Sequence, residues 1–176
     1  MLRTLTETAD PEQFLTIWSL PSKKAAHYHA SPQGSARAME DAIARAKKGE
    51  DVYVSVGLKA TPPQRGRGTR LEVTSLLGFF ADLDVGKEGA FDSKDAAISA
   101  AITWSPAPTL IVDSGGGIHA WWLFDEPTHI TDGDARADIE QQMARWILWF
   151  ARQTNTTLDP VGDSARVLRV AAPRDY

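Results

Sequence analysis

The sequence predicts an α+β fold with a partly antiparallel sheet. Three observations carry this expectation. Strand-like and helix-like segments are mixed along the chain, one β-hairpin is written around Ser114-Gly115-Gly116-Gly117, and no internal repeat or low-complexity tract interrupts them. The chain has 176 residues, 43% of them hydrophobic, enough for one domain of ordinary size or two small lobes.

Taken in order, Asp10-Pro11-Glu12-Gln13 has the pattern of a helix start: an N-cap acid, a proline in the first turn and a glutamine closing a capping box. Phe14, Ile17 and Trp18 would then form a short apolar helix face. Ser35 to Lys48 is alanine-rich and ends in Lys47-Lys48-Gly49, a cationic last turn followed by a glycine stop. Val52-Tyr53-Val54-Ser55-Val56 is β-branched and aromatic, a strand. Thr61 to Thr69 is a polar loop rich in proline, glycine and arginine. Leu76 to Leu83 is a nearly continuous apolar run, as expected of a strand covered on both faces. Asp92 to Trp104 reads as a helix. Thr109 to Val112 and Ile118 to Phe124 read as the two arms of the hairpin. Asp132 to Gln153 is the longest helix, with Ile139, Met143, Trp146, Ile147 and Phe150 along one stripe. Arg166 to Val170 is a late strand.

Composition excludes several classes. Charged residues make up 24%, a globular balance, and no apolar run approaches the roughly 20 residues of a membrane span. The N-terminus has no apolar stretch of secretory length. Cysteine is absent, which excludes disulfides and thiolate zinc sites and fits a reducing cytoplasm. The net charge of −4 argues against a protein coated in nucleic acid, so any polyanion must be held locally. Lys59, Arg65, Arg67 and Arg70 lie in a stretch without an acid, and Arg166, Arg169 and Arg174 follow near the C-terminus. The first four are candidate nucleic-acid contacts, against the reading of a solvated loop.

Three segments carry chemistry. Phe79-Phe80-Ala81-Asp82-Leu83-Asp84 ends an apolar strand on two acids that alternation places on one face. Such a pair either seats a hard divalent cation or simply faces solvent at a strand end. Ser114-Gly115-Gly116-Gly117-Ile118-His119 lets the backbone approach an anion closely, with Ser114 and His119 as donors. The alternative there is a glycine-rich hairpin turn beside a structural histidine. No Gly-Lys-Ser/Thr follows, so this is not a P-loop. Leu158-Asp159 supplies a third carboxylate ahead of Ala165-Arg166-Val167-Leu168-Arg169-Val170, whose two arginines would face opposite sides of a strand. Asp163 is the substitute for Asp159 as third acid.

In that order the three segments resemble the archaeo-eukaryotic primase superfamily, and most of all the primase-polymerase domains of phage and plasmid replication proteins. The likeness covers roughly Asp51 to Val170. It implies a primase-polymerase catalytic core in which an RRM-like sheet, mixed or antiparallel, packs with an N-terminal α/β module. One catalytic domain would then span 1–176, with the N-terminal module at about 1–75 and the catalytic module at about 76–176. It implies that Asp82, Asp84 and Asp159 are catalytic and hold two divalent ions, Mg²⁺ or Mn²⁺. Ser114, Gly116 and His119 would bind the incoming nucleotide, with Arg166 or Arg169 near its phosphates. The implied reaction is template-directed nucleotidyl transfer from NTPs or dNTPs to the 3′-hydroxyl of a primer on a DNA template. One metal would acidify the attacking hydroxyl and the other stabilise the leaving pyrophosphate. A helicase or helical region, fused or in trans, is the implied partner, and the implied location is the cytoplasm, that of a host if the gene is phage-borne. The sequence departs from the family after Val170: relatives continue Pro-Gly-Thr, whereas here the chain reads Ala171-Ala172-Pro173-Arg174. Relatives are also longer.

Two other readings compete. A catalytically silent RRM-like module would bind nucleic acid or nucleotide alone, although clustered acids in such a groove repel phosphate. A nicking enzyme would want a histidine pair around a hydrophobe, and His27-Tyr28-His29 fits that poorly; a surface loop is the expected setting there. Trp146 and Trp149 are expected in the core, and of Trp121 and Trp122 one should face the core and one the opposite surface.

Overall fold

The structure is a computed structural model that describes residues 1–158 and 162–171. In chain order the elements are α1 (Leu2–Leu5), β1 (Phe14–Leu20), β2 (Lys24–His29), α2 (Pro32–Ala46), β3 (Asp51–Ser55) and β4 (Gly57–Lys59). After a 3-10 turn at Arg70–Glu72 come β5 (Val73–Asp84), α3 (Lys94–Ile102), β6 (Leu110–Asp113), β7 (Gly117–His129), α4 (Gly133–Thr154) and β8 (Val167–Arg169). The strands pair in the order β6-β7-β5-β4-β1-β3-β8, with β2 joined to β1. The expected α+β class with an antiparallel sheet is what forms. The chain divides into two compact units, one of residues 1–77, 125–131 and 164–176, the other of residues 78–124 and 132–163.

In the first unit, β1 is central. It pairs with β2, with Thr16 opposite His27, and with β3, where Trp18 faces Tyr53. One face carries Leu15, Ile17, Val52 and Val54, all buried, and α2 covers it with Ala38 and Ala42. Ser31 caps α2 by accepting from the Gly34 N–H, and Pro32 sits at its first position. The other face carries Thr16, Trp18, Tyr53, Lys59 and Arg169.

Two expectations are corrected here. Asp10 to Gln13 does not start a helix; the Asp10 carboxylate accepts from the Glu12 N–H, a local turn, and Phe14–Leu20 runs on as β1. Its side chains alternate with period two and include Ile17, Phe14 and Trp18, which a sheet favours and a helix does not. Gln13, read as part of a capping box, instead accepts from Ser75 Oγ at 2.6 Å and donates to Thr74 Oγ1 at 3.3 Å. His27 and His29 lie on β2 rather than in a loop. That strand has few β-branched residues, and its pairing with β1 rather than its own propensity makes it.

The second unit runs β5, α3, β6, β7, α4, the β-α-β-β-α order of the RRM and ferredoxin-like arrangement. β6 and β7 form the expected hairpin, with Val112 opposite His119 and Leu110 opposite Trp121. Ser93 and Asp132 cap α3 and α4. Between sheet and helices lies an aromatic cluster in which Trp122 meets Trp146 and Phe150, and Phe79 meets Phe124 and Trp146. Trp121 and Trp122 are both buried. Trp149 stacks edge-on against Trp104 yet keeps 46% of its surface exposed, so it lies at the rim of the core rather than inside it.

Candidate active site

The site begins with β5. Ala81 and Leu83 are buried, while Asp82 and Asp84 between them are exposed to solvent by about half (side-chain exposure 51% and 43%), so both carboxylates leave the same face. The strand ends at Asp84, where the alternation also ends.

The β6–β7 turn is pressed against that strand end. A Cβ at Gly117 would collide with the Leu83 carbonyl and crowd the Asp84 Cα, and one at Gly78 would collide with the Trp122 carbonyl and the Leu123 Cα. Gly117 thus lies opposite Asp84 and Gly78 opposite Leu123, and the register between them sets His119 opposite Asp82. The side chains agree: His119 Nε2 is 3.5 Å from Asp82 Oδ1, with the imidazole buried and the carboxylate half in solvent. The Val85 N–H donates to the Gly116 carbonyl at 3.1 Å, which fastens the turn to the end of β5.

The turn is shaped from beneath. Ser114 N–H donates to the Gly117 carbonyl at 3.0 Å, and Gly115 takes φ +92°, a conformation only glycine enters freely. Asp113 accepts from the Gly115 N–H at 2.7 Å and pairs with Lys94 of α3 at 2.8 Å. The Lys94 ammonium, then the Gly115 N–H, hold the Asp113 carboxyl below its usual range. No side chain lies within 4 Å of where a Cβ would stand on Gly115 or Gly116, so that backbone is open to a ligand. Sequence reasoning missed Asp113 and Lys94. The signal was present, since Asp-x-Gly is the pattern of an Asx turn.

Lys87 was also missed. Its ammonium hydrogen-bonds Asp84 Oδ2 at 2.7 Å. That bond, then the charge of Asp84, raise its pKa; desolvation opposes them, and the charge of Asp82 adds to them. A cation thus sits at Asp84. It bonds Asp84 alone, and the two carboxylates leaving one face are oxygen donors of the kind Mg²⁺ or Mn²⁺ takes together with phosphate oxygens. Among the described residues there is no group of three or more acids or histidines that could hold an ion, so the donor set there is two carboxylates. Asp159 lies outside the described residues, as does Arg174. The chain just before Asp159 is tied to the loop after β5, since the Thr157 N–H donates to the Gly89 carbonyl at 2.6 Å. Asp163 is half-buried, following Gly162, which packs against the backbone of α4 at Glu140 and Ala144.

The remaining candidates lie in the first unit. Arg169 is paired with Asp51 at 2.6 Å, hydrogen-bonds the Tyr53 hydroxyl and stacks over its ring. Arg166 is half-buried. Arg65 and Arg70 are exposed, and Arg67 is half-buried. Lys59 does not belong to the solvated loop at all: it is on β4 and 1% exposed.

With this geometry in place, the fold finds a counterpart among solved structures. The primase-polymerase (PrimPol) AEP domain of cyanophage S-2L matches 98% of this chain over 80% of its own length, with a TM-score of 0.58 and 19% sequence identity. The two chains share a fold. No protein-family model matches the chain, and no curated protein matches it in sequence at a significant level. In this AEP-type fold, Asp82, Asp84, His119 and the glycine turn converge within one unit, with no helix among the described residues long and apolar enough to cross a membrane.

Proposed function

We propose that the chain is the catalytic domain, 1–176, of a primase-polymerase that extends a primer on a DNA template from NTPs or dNTPs. One observation carries the reading: Asp82 and Asp84 leave the same face of β5 with His119 opposite the first and the glycine turn against the second. The AEP-type fold supports it.

In this reading Asp82 and Asp84, with Asp159 as the third carboxylate, hold Mg²⁺ or Mn²⁺. Such an ion, when bound, supplies positive charge at the reacting phosphate and lowers the pKa of a coordinated hydroxyl. The chain's own residues do the rest. His119, fixed at the centre of the hairpin, donates to a phosphate oxygen and meets negative charge as it develops. The open backbone of Gly115 and Gly116 lets N–H groups and the Ser114 hydroxyl approach the triphosphate. Leu83, Ala81 and the packed face of the sheet hold the two carboxylates at a fixed spacing, so little reorganisation remains for the reaction.

The test is extension of a labelled primer on a DNA template with dNTPs and either metal. Wild type should incorporate nucleotide, and Asp82→Asn and Asp84→Asn should each lose on the order of 10³-fold or more while melting like wild type, since both side chains are half exposed. A wild type that binds DNA yet incorporates nothing with either metal would replace this reading with that of a silent binding module.

A further inference from the structure

The solvent-side face of the β1–β3–β8 sheet, in the first unit, carries a feature that the transfer chemistry does not use. Trp18 on β1 faces Tyr53 on β3, and Tyr53 faces Arg169 on β8, so a row of two aromatic rings and a guanidinium crosses three strands. Both rings are half-buried. A cavity of about 370 Å³ opens on this row, bounded by Trp18, Leu20, Tyr53, Val167, Arg67 and Arg166. That is within the roughly 300–1,000 Å³ of small-ligand sites. The Arg65-Gly66-Arg67-Gly68 loop supplies one wall. Gly66 and Gly68 take φ +53° and +79°, and a Cβ at Gly66 would stand 3.7 Å from the Trp18 ring. The loop is thus curled over the sheet with Arg67 turned into the cavity. From Leu58 to Arg70 there is no acid, and Lys59 adds its charge beneath the loop.

The chemistry of this cavity is specific. Two aromatic rings side by side on the sheet give a flat unsaturated ring a surface to stack on, and two guanidinium groups suit an anion one sugar away from it. A base within a duplex cannot stack on these rings, because its faces are already stacked. An acidic peptide would meet the arginines but leave the aromatic row unused.

We propose that this cavity binds one unpaired nucleotide of a single-stranded DNA, its base on Trp18 and Tyr53 and its phosphate at Arg67 and Arg166. The proposal rests on the reading of the chain as an enzyme of nucleic acid, since it supplies a hold on the template strand. Arg169, tied to Asp51, is the support for Tyr53 and not a phosphate ligand in this arrangement.

The test uses a 5′-fluorescein-labelled oligothymidylate, fluorescence anisotropy and EDTA, which removes any binding through a metal at Asp82 and Asp84. Wild type should bind. Trp18→Ala should weaken binding about tenfold, Trp18→Phe less, because a ring remains to stack on. Arg67→Gln should weaken it and lower the slope of log affinity against log salt by about one. If Trp18→Ala does not fold, Trp18→Phe and Arg67→Gln carry the test. Oligothymidylate affinity and salt slope unchanged in folded Trp18→Phe and Arg67→Gln would overturn the proposal, as would equal losses on a blunt duplex. The two readings fail separately. A wild type inactive in primer extension whose strand binding still depends on Trp18 and Arg67 loses the enzyme and keeps the site. An active wild type whose strand binding ignores them keeps the enzyme and loses the site.

Discussion

Replacing Lys59 by methionine tests how the sheet of the first unit carries a buried charge. Lys59 is 1% exposed, and its ammonium has one hydrogen bond, a long one of 3.4 Å to Thr16 Oγ1. Gly68 closes over it: a Cβ there would come within 2.8 Å of the lysine Cε. Burial pushes its pKa from 10.5 down to about 8, against the charge of Glu72, which raises it, and with that of Arg67, which lowers it further. The unfolded chain therefore binds more protons between those values, and stability rises with pH across that window. At about 1.36 kcal/mol per pH unit the whole rise is about 3 kcal/mol. Lys59→Met removes that cost at pH 7 but also loses the bond to Thr16, about 1 kcal/mol. The variant should then be more stable than wild type by about 2 kcal/mol at pH 7 and less stable by about 1 kcal/mol near pH 10.5. Urea unfolding at pH 7, 8, 9 and 10 measures both curves. Tyr28, pushed up to about 12 mainly by burial, is present in both proteins and cancels in the difference. Parallel curves for the two proteins, or a variant less stable at pH 7, would refute the reasoning.

The two neighbouring glycines of the turn should behave oppositely. Gly117→Ala forces a Cβ into the Leu83 carbonyl and should cost about 1–3 kcal/mol or more in a thermal melt, whereas Gly116→Ala meets open space and should melt like wild type while weakening triphosphate binding. Equal melting of the two variants would mean that the turn is not seated on β5 as described. Lys87→Met removes the ammonium now paired with Asp84, so Mn²⁺ measured by titration calorimetry should bind several-fold more tightly. Unchanged affinity would show that the lysine leaves the acids freely.

Much of the fold was legible where local chemistry and tertiary structure agree. The apolar run into Asp82 and Asp84, the hairpin around the glycines and the capped helix at Asp132 all form as the sequence reads. The failures share a cause. Asp10 to Gln13 has the residues of a cap, but an Asx turn uses the same aspartate, and Gln13 finds Ser75 sixty-two positions away. Nothing local announces that partner. Lys59 follows the same logic: it precedes a polar loop and so reads as solvated, yet its strand pairs with β1 and β5 and draws it inside. The candidate site was readable as residue types. Its geometry was not, because the register that brings His119 opposite Asp82 depends on two glycines, Gly78 and Gly117, that carry no chemistry of their own.

The acids around the turn also divide by what holds them. Asp113 is bound by Lys94 of α3 and by the Gly115 N–H, which together hold its pKa below the usual range. Removing it would distort the turn. Asp84 is held instead by Lys87, a residue of the following loop with a side chain 66% exposed. Such a pair contributes little to folding, since water competes for both partners. Its ammonium is therefore exchangeable, and a divalent ion with more charge and less reach to lose can take its place at the carboxylates. What sets Asp113 apart is its second bond, to the Gly115 N–H, which ties it to the backbone of the turn. In the proposed reading Asp84 and Asp82 are the working pair, and Asp113, the acid nearest the glycines in sequence, shapes the turn beside them.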